Sequence, residues 1–299
     1  MPSEAHQAIV DLLRAQGPLG AGDQEIDVAA MRAGMEAMVA TSVVPEGTSC
    51  EPVDAGGVPA EWLDGPGIDR DRVLLYFHGG GYVIGSIATH RAMVARIAAA
   101  AGVRALIIDY RLAPEHPFPA AVDDATAAYR FLLDQGYASE RIAVGGDSAG
   151  GGLTFACLLA LREAGDPLPE AAIALSPWVD LEGLGDSMTS KAEADPMIDR
   201  QGLLKMSALY LGNESARNPL AAPLYADLSG LPPVYIQAGT AETLMDDATR
   251  IAEKARDAGV PVEIDLYEDL VHVFQAFVPH VPESVEAIEK LGAFVKRQL

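Results

Sequence analysis

Short, continuously apolar segments alternate with amphipathic helical patterns along most of the chain, and this alternation restricts the fold more than any other feature. The predicted strands are 49–53, 59–63, 73–77, 104–109, 141–145, 171–176, 234–238 and 262–267. The predicted helices are 3–16, 24–40, 88–101, 120–135, 149–164, 246–258 and 283–298. Apolar strands separated by helices are typical of a mainly parallel sheet with helices on both faces. In such α/β folds, ligands bind at the carboxyl ends of the strands.

One stretch interrupts the alternation. Residues 180–215 form an insert between two predicted strands, and it is rich in large apolar side chains. Together with the predicted helices of residues 1–45, the insert can form a cap over the sheet. Ordinary packing explains an apolar insert equally well, and the sequence does not decide between the two.

The charge and the hydropathy of the chain argue against some classes of binding partner. The chain of 299 residues carries 43 acidic and 21 basic side chains, which gives a formal net charge of −22. A surface of this sign argues against binding to nucleic acid or to an anionic membrane. The N-terminal residues lack a basic segment followed by an apolar run, and no stretch reaches the roughly 18 apolar residues of a membrane span. We therefore expect a cytoplasmic protein.

The cysteines give no sign of a metal site or of a disulfide. Cys50 and Cys157 are the two cysteines, and they cannot build a zinc framework or a disulfide scaffold. We expect both thiols to be buried and inert.

A serine flanked by glycines follows the predicted strand 141–145. The segment Gly146-Asp147-Ser148-Ala149-Gly150 matches the pattern G-x-S-x-G and leads into a helical pattern. In this context the pattern predicts a nucleophile elbow, a sharp strand-to-helix turn that exposes the serine hydroxyl. Gly146 and Gly150 suit such a turn because neighbouring backbone comes too close for a side chain. The pattern also occurs in ordinary turns, so its meaning depends on partners elsewhere in the chain.

A nucleophilic serine needs a base, and His272 is the favoured candidate. In this type of fold the order along the chain is serine, acid, histidine. Of the histidines that follow the serine, His272 comes directly after the predicted strand 262–267. His280 is the alternative, but it lies further on, between two prolines, in what reads as a surface turn.

The acid that orients the histidine should follow the predicted strand 234–238. Glu242 lies in the loop after that strand and has no other evident role. Asp246 and Asp247 begin the next helix, where carboxylates complement the helix dipole. We assign the orienting role to Glu242, with Asp246 as the alternative.

Backbone N–H groups must stabilise the oxyanion, because fixed dipoles need no reorientation when charge develops. The run His78-Gly79-Gly80-Gly81 directly follows the predicted strand 73–77 and can turn its amides inward. Ala149, the first residue after the nucleophile, offers another N–H group. A dinucleotide-binding loop at residues 79–85 is the competing interpretation. Its glycine spacing and Tyr82 count against it, while Asp109 keeps it open.

Taken together, these motifs resemble the bacterial branch of the hormone-sensitive lipase family of α/β hydrolases. The resemblance covers roughly residues 72–275. The segments that carry it are His78-Gly79-Gly80-Gly81-Tyr82, Asp109-Tyr110-Arg111-Leu112-Ala113-Pro114-Glu115, Gly146-Asp147-Ser148-Ala149-Gly150-Gly151 and Ser176-Pro177-Trp178. Two motifs depart from the family pattern. The acid motif D-P-L-x-D is Glu242-Thr243-Leu244-Met245-Asp246 here, and the usual His-Gly-Phe is His272-Val273-Phe274.

The resemblance implies an α/β-hydrolase fold with a catalytic domain of residues 46–179 and 216–299, capped by residues 1–45 and 180–215. It implies a carboxylic ester hydrolase for short- to medium-chain acyl esters, with no metal and no organic cofactor. Many members pair through the last strand and its neighbouring helix, which implies a homodimer. The implied site residues are the triad Ser148, Glu242 and His272, the oxyanion-hole residues Gly80, Gly81 and Ala149, and the supporting residues His78, Gly79, Gly146, Asp147 and Gly150.

Two alternative functions remain open at this stage. A lactonase or an amidase can use the same triad on a different carbonyl compound. A protein of this fold can also act as a non-catalytic receptor for a small apolar ligand, although such proteins typically lose a triad residue.

Overall fold

An eight-stranded sheet forms the centre of the computed structural model, which describes residues 2–22, 25–39 and 42–299. The strands are β1 (Ser49–Asp54), β2 (Pro59–Asp64), β3 (Asp69–Phe77), β4 (Val103–Ile108), β5 (Ile142–Asp147), β6 (Ala171–Leu175), β7 (Val234–Gly239) and β8 (Val262–Tyr267). Their order across the sheet is β1-β2-β4-β3-β5-β6-β7-β8. Strand β2 runs antiparallel to both of its neighbours, β1 and β4, and strands β3 to β8 are parallel to one another. The prediction of a mainly parallel eight-stranded sheet is confirmed.

Helices cover both faces of the sheet, as the continuous apolar strands predict. In the described part of the chain they are α1 (Glu4–Gln16), α2 (Val28–Val39), α3 (Ile87–Ala101), α4 (Ala120–Asp134), α5 (Ala149–Ala164), α6 (Ser187–Ser190), α7 (Arg200–Leu211), α8 (Met245–Asp257) and α9 (Pro282–Gln298). Helices α3 and α9 pack on one face, and α4, α5 and α8 pack on the other. Residues 24 and 40, the predicted ends of the second helix, lie outside the described residues.

The insert at residues 180–215 contains α6 and α7, which the sequence pattern does not predict as helices. It contacts the N-terminal segment, since Leu19 N–H donates to the Met197 carbonyl at 2.8 Å. Arg32 on α2 connects the same segment to the loops that follow β3 and β4. Its guanidinium donates to the Val83 and Ala113 carbonyls, each at 2.9 Å. Both predicted cap segments therefore lie against each other and against the carboxyl end of the sheet.

The two cysteines differ in their surroundings. Cys157 on α5 is buried, as expected, but Cys50 is exposed, so the expectation of a buried thiol is wrong there. The reason is its place on β1, the edge strand, which is almost wholly exposed. None of the helices within the described residues combines the length and the apolar character needed to cross a membrane.

Candidate active site

Ser148 lies in the sharp turn between β5 and α5, with φ 53° and ψ −119°. This positive φ is strained for a residue with a side chain. The surrounding backbone explains the flanking glycines. A Cβ on Gly150 would lie 2.0 Å from the Phe77 carbonyl oxygen, and one on Gly146 would lie 2.3 Å from the Gly150 carbonyl oxygen. The turn has the geometry that the G-x-S-x-G pattern predicts.

The structure brings Ser148, His272 and Glu242 together from the carboxyl ends of three strands. His272 Nε2 lies 3.0 Å from Ser148 Oγ. On the other side of the ring, Nδ1 lies 3.4 Å from Glu242 Oε2, slightly beyond a normal hydrogen bond. Such contacts are often long without substrate and shorten in the reacting complex. All three side chains are almost fully buried.

Ser176, just after β6, links the acid to the histidine loop. Its hydroxyl donates to Glu242 Oε2 at 2.8 Å and accepts from Val273 N–H at 3.2 Å. In the sequence, Ser176 belongs to the segment Ser176-Pro177-Trp178, which carries the family resemblance but assigns this serine no role. The sheet order supplies the missing signal, because β6 lies between β5, which precedes Ser148, and β7, which precedes Glu242.

The electrostatics of the site favour a positively charged histidine. Burial acts to lower the pKa of His272, but the negative charges of Glu242, Asp195 and Asp147 outweigh it, and the net shift is upward. Burial raises the pKa of Glu242, and the neighbouring His272 and the Ser176 hydroxyl oppose that shift only in part. The pair can therefore stabilise an imidazolium that forms when the serine loses its proton.

The glycine run after β3 adopts backbone angles that only glycine takes without strain. Gly80 has φ +117° and Gly81 has φ +61°. Within the described residues, the N–H groups of Gly80 and Gly81 donate no hydrogen bond. Ala149 is the first residue of α5, where helix N–H groups have no partner within the helix. These three donors are therefore free for an oxyanion.

The insert packs directly on this glycine run. A Cβ on Gly81 would lie 2.2 Å from Met206 Sδ of α7. The ring of Tyr82 stacks on Tyr210, also of α7, with centroids 3.8 Å apart. Residues of the insert therefore form one wall beside the oxyanion donors.

Asp147, immediately before Ser148, connects the glycine run to the turn between β5 and α5. Its Oδ1 accepts from the Tyr76 hydroxyl at 3.0 Å and from Gly79 N–H at 3.2 Å, and its Oδ2 lies 3.2 Å from His90 Nε2. Burial acts to raise the pKa of Asp147, but His90 and the hydrogen bonds outweigh it, so the carboxyl remains ionised. The sequence pattern puts His90 within the predicted helix 88–101 but gives no sign of this contact.

His78 supports the glycine run as a neutral side chain. Burial and the neighbouring His90 lower the pKa of His78 to about 3. Its Nδ1–H therefore donates to the Gly79 carbonyl at 2.7 Å. The ring also stacks on Tyr110 with centroids 4.2 Å apart, while the Tyr110 hydroxyl donates to the His78 carbonyl at 2.8 Å.

The alternative residues have other partners. Asp246 Oδ2 accepts from Ser187 N–H at 2.9 Å. Asp247 is fully buried and its Oδ2 accepts from Val179 N–H and Asp180 N–H, each at 2.9 Å, rather than merely complementing the helix dipole. His280 is exposed. Geometry therefore favours Glu242 and His272 over these residues.

Asp109, which kept the dinucleotide interpretation open, holds the start of a helix instead. Its carboxylate accepts from Ile87 N–H at 2.6 Å, at the first turn of α3. It lines a groove of about 650 Å³ together with Glu61 and Arg91, which pair with each other. None of the triad residues lines this groove. In the described part of the chain, no group of three His, Cys, Asp or Glu residues could hold a metal ion.

Comparison with known proteins identifies the family of the chain. A family model described as an alpha/beta hydrolase fold matches residues 74–276. An acetyl-hydrolase of Streptomyces hygroscopicus is 45% identical over 244 residues, which cover 82% of this chain and 81% of that protein.

Solved structures extend the similarity to the whole chain. The crystal structure of an esterase from the bacterial hormone-sensitive lipase family has a TM-score of 0.95 and 46% identity, covering 100% of this chain and 99% of that one. The crystal structure of EstE5 soaked with p-nitrophenyl butyrate has a TM-score of 0.95 and 43% identity, covering 99% of each chain. The chain therefore belongs to the bacterial hormone-sensitive lipase family of α/β hydrolases and is a carboxylesterase.

Proposed function

We propose that this carboxylesterase hydrolyses short- to medium-chain acyl esters through a Ser148–His272–Glu242 triad and a covalent acyl-enzyme. The observation that carries the proposal is the 3.0 Å contact between His272 Nε2 and Ser148 Oγ. In addition, the N–H groups of Gly80 and Gly81 donate no hydrogen bond within the described residues. A nucleophile, its base and preformed oxyanion donors are what acyl transfer requires.

In the first step, His272 Nε2 takes the proton of Ser148 as Oγ attacks the ester carbonyl carbon. The carbonyl oxygen becomes an oxyanion held by the N–H groups of Gly80, Gly81 and Ala149. Each such donor contributes about 3–4 kcal/mol of transition-state stabilisation. The tetrahedral intermediate collapses when the ester C–O bond breaks, and His272 gives its proton to the leaving alcohol.

The second step repeats the chemistry with water. His272 removes a proton from a water molecule, which attacks the acyl carbon bound to Ser148. The new oxyanion occupies the same N–H groups, and collapse releases the carboxylic acid and returns the proton to Ser148 Oγ. Glu242 accepts a hydrogen bond from Nδ1 throughout, which keeps the ring oriented and stabilises its charged form without taking the proton.

Acyl chain length is the finer part of the proposal. Met206 lies against Gly81 and restricts the space beside the oxyanion donors. The similarity to an acetyl-hydrolase and to an esterase studied with a butyrate ester supports short acyl groups. A hydrolysis profile of p-nitrophenyl esters from acetate to palmitate tests this, and we expect kcat/KM to be highest at the short end. A maximum at palmitate would contradict it.

Two variants test the nucleophile. Ser148→Ala should abolish turnover of p-nitrophenyl butyrate and covalent labelling by a fluorophosphonate probe, because the probe reacts with an activated serine. Ser229→Ala, at an exposed serine, is the matched control and should leave both unchanged. Full activity in Ser148→Ala would overturn the assignment. A wild-type protein that neither turns over esters nor reacts with the probe would support the non-catalytic receptor.

Matched ester, lactone and amide substrates separate the enzymatic alternatives. The proposal expects the ester to be turned over fastest. The amide leaving group is poorer, so efficient amide cleavage would indicate a different specificity for the same triad.

We also propose that the chain forms a homodimer through β8 and α9. Strand β8 lies at the edge of the sheet, and an exposed strand edge can pair with another chain. Leu266 on this strand is 44% exposed, so a partner strand at this edge would bury an apolar side chain. Light scattering after size-exclusion chromatography should give the mass of a dimer, and Leu266→Lys should shift it toward the monomer. A monomeric wild-type protein would exclude the dimer.

A further inference from the structure

Asp195 is a buried carboxylate of the insert that the triad does not include. It lies between α6 and α7 and is only 3% exposed. Its Oδ1 accepts from Met197 N–H at 2.9 Å and from Ile198 N–H at 3.2 Å, both within the insert. Its Oδ2 accepts from Thr243 N–H at 2.8 Å and from the Thr243 hydroxyl at 3.2 Å. One side chain therefore joins the insert to the loop after β7.

Asp195 contacts Thr243, the residue directly after the proposed catalytic acid Glu242. Thr243 N–H belongs to the peptide group that immediately follows Glu242, so Asp195 fixes the backbone from which the Glu242 side chain projects. A second residue of the insert acts on the same residue, since the Ser187 hydroxyl donates to the Thr243 carbonyl at 2.6 Å. Thr243 is thus held by the insert at both its N–H and its C=O group.

Asp195 also contributes charge to the site. Its four hydrogen-bond donors favour the ionised form, although burial raises the pKa of Asp195 itself. The negative groups that act on His272 are Glu242, Asp195 and Asp147, from three different segments of the chain. Each favours the protonated imidazole ring. Glu242 has the largest influence, and Asp195 follows it.

We propose that Asp195 is a positioning residue of the esterase reaction, which holds the Glu242 loop against the insert and adds a negative charge to the surroundings of His272. The proposal rests on the triad described above. It gives the insert a part in organising the catalytic acid, in addition to forming a wall of the substrate site. If Asp195 acted only in folding, removing its charge would not change the pKa of His272.

The test compares Asp195→Asn with Asp199→Asn. Asp199 lies in the same insert, and its carboxylate accepts from Gly202 N–H at 2.7 Å at the start of α7. Asparagine serves equally well at that position of a helix, so this control removes the same charge without touching the triad. Each enzyme is titrated with a fluorophosphonate probe, and kcat for p-nitrophenyl butyrate is expressed per reactive Ser148.

For Asp195→Asn we expect kcat per reactive site to fall about tenfold with little change in KM, because the acid is displaced by a fraction of an ångström. The acid limb of the pH profile of kcat/KM should move to lower pH. This follows because His272 must be neutral to act as a base, and losing a neighbouring negative charge lowers its pKa. Asp199→Asn should keep the wild-type kcat and the wild-type acid limb.

Asp195→Glu separates charge from position. It retains the negative charge but displaces the carboxylate, so we expect the wild-type acid limb with a reduced kcat. If Asp195→Asn does not accumulate as folded protein, Asp195→Ser removes the same charge, and site titration counts only the competent fraction. An unchanged kcat per site and an unchanged acid limb in the neutral variants would overturn the proposal. Failure of the triad itself is distinguished by a wild-type Ser148 that does not react with the probe.

Discussion

His90 and Asp147 form a buried pair next to Ser148, with Nε2 3.2 Å from Oδ2. Gly79 N–H also lies 3.2 Å from His90 Nε2, but that nitrogen carries the proton shared with Asp147, so Gly79 donates to Asp147 Oδ1 instead. Burial alone would lower the pKa of His90, yet Asp147 outweighs it and the pKa is raised. The pair therefore holds α3, the glycine run and the elbow in one arrangement.

His90→Ala should lower kcat by about tenfold to a hundredfold while KM changes little, because the oxyanion donors lose their support and small displacements there are costly. Steady-state kinetics with p-nitrophenyl butyrate measure both parameters. His116→Ala, at an exposed histidine, is the matched control and should behave like the wild type. Equal kcat values in the two variants would contradict a supporting role for His90.

Much of the fold could be predicted because buried segments are apolar, and the spacing of their apolar residues is visible in the local sequence. Central strands such as β3 and β6 contain short apolar runs, and chain order with strand-end position brings Ser148, Glu242 and His272 to one edge of the sheet. The helices of the insert could not be predicted in the same way. They pack against several surfaces at once, so their apolar residues do not fall on a single face.

The supporting contacts could not be predicted, because they join residues that are distant along the chain. Ser176 reaches Glu242 across 66 positions, and Asp195 reaches Thr243 across 48. Polar residues such as these show no periodicity, and their partners depend on the order of the strands and on the path of the insert. The exposure of Cys50 could not be predicted for a related reason, since a strand pattern does not reveal that the strand lies at the edge of the sheet.

Glu242→Gln should lower kcat by about a hundredfold to ten-thousandfold, because the neutral amide no longer stabilises the imidazolium and can favour the wrong tautomer of His272. Asp246→Asn is the matched comparison. Its carboxylate binds Ser187 N–H of the insert, so we expect a loss of less than about tenfold, arising from a looser insert. Kinetics per probe-reactive site measure both. The reverse order of losses would transfer the role of the acid to Asp246.

Met206→Ala should broaden the range of acyl chains. The side chain lies against Gly81, and its removal opens space beside the oxyanion donors. Because a pocket distinguishes single methylene groups by about tenfold or more, we expect kcat/KM for octanoate relative to acetate to rise about tenfold. Leu209→Ala removes a half-buried side chain of the same helix and serves as the control. An acyl profile identical to that of the wild type would show that Met206 does not limit the chain.

Asp247→Asn should change the pH dependence of stability. Burial raises the pKa of Asp247 from 3.8 to about 7 in the folded protein, although two backbone N–H groups donate to it. The folded state therefore holds this proton more tightly than the unfolded state. The resulting stabilisation is complete below the unfolded pKa and is lost as the pH rises toward 7, by up to about 4 kcal/mol.

Asparagine keeps a carbonyl oxygen for the two N–H groups of Val179 and Asp180 and cannot ionise. The Tm of Asp247→Asn, relative to that of the wild type, should therefore increase between pH 4 and pH 8. A difference of about 1 kcal/mol corresponds to about 2–4 °C for a chain somewhat smaller than this one. Asp257→Asn changes the net charge equally at an exposed position of α8 and corrects for the general effect of charge. If both variants follow the wild-type curve in parallel, Asp247 is ionised at no cost to the fold, and its two backbone donors must offset the whole effect of burial.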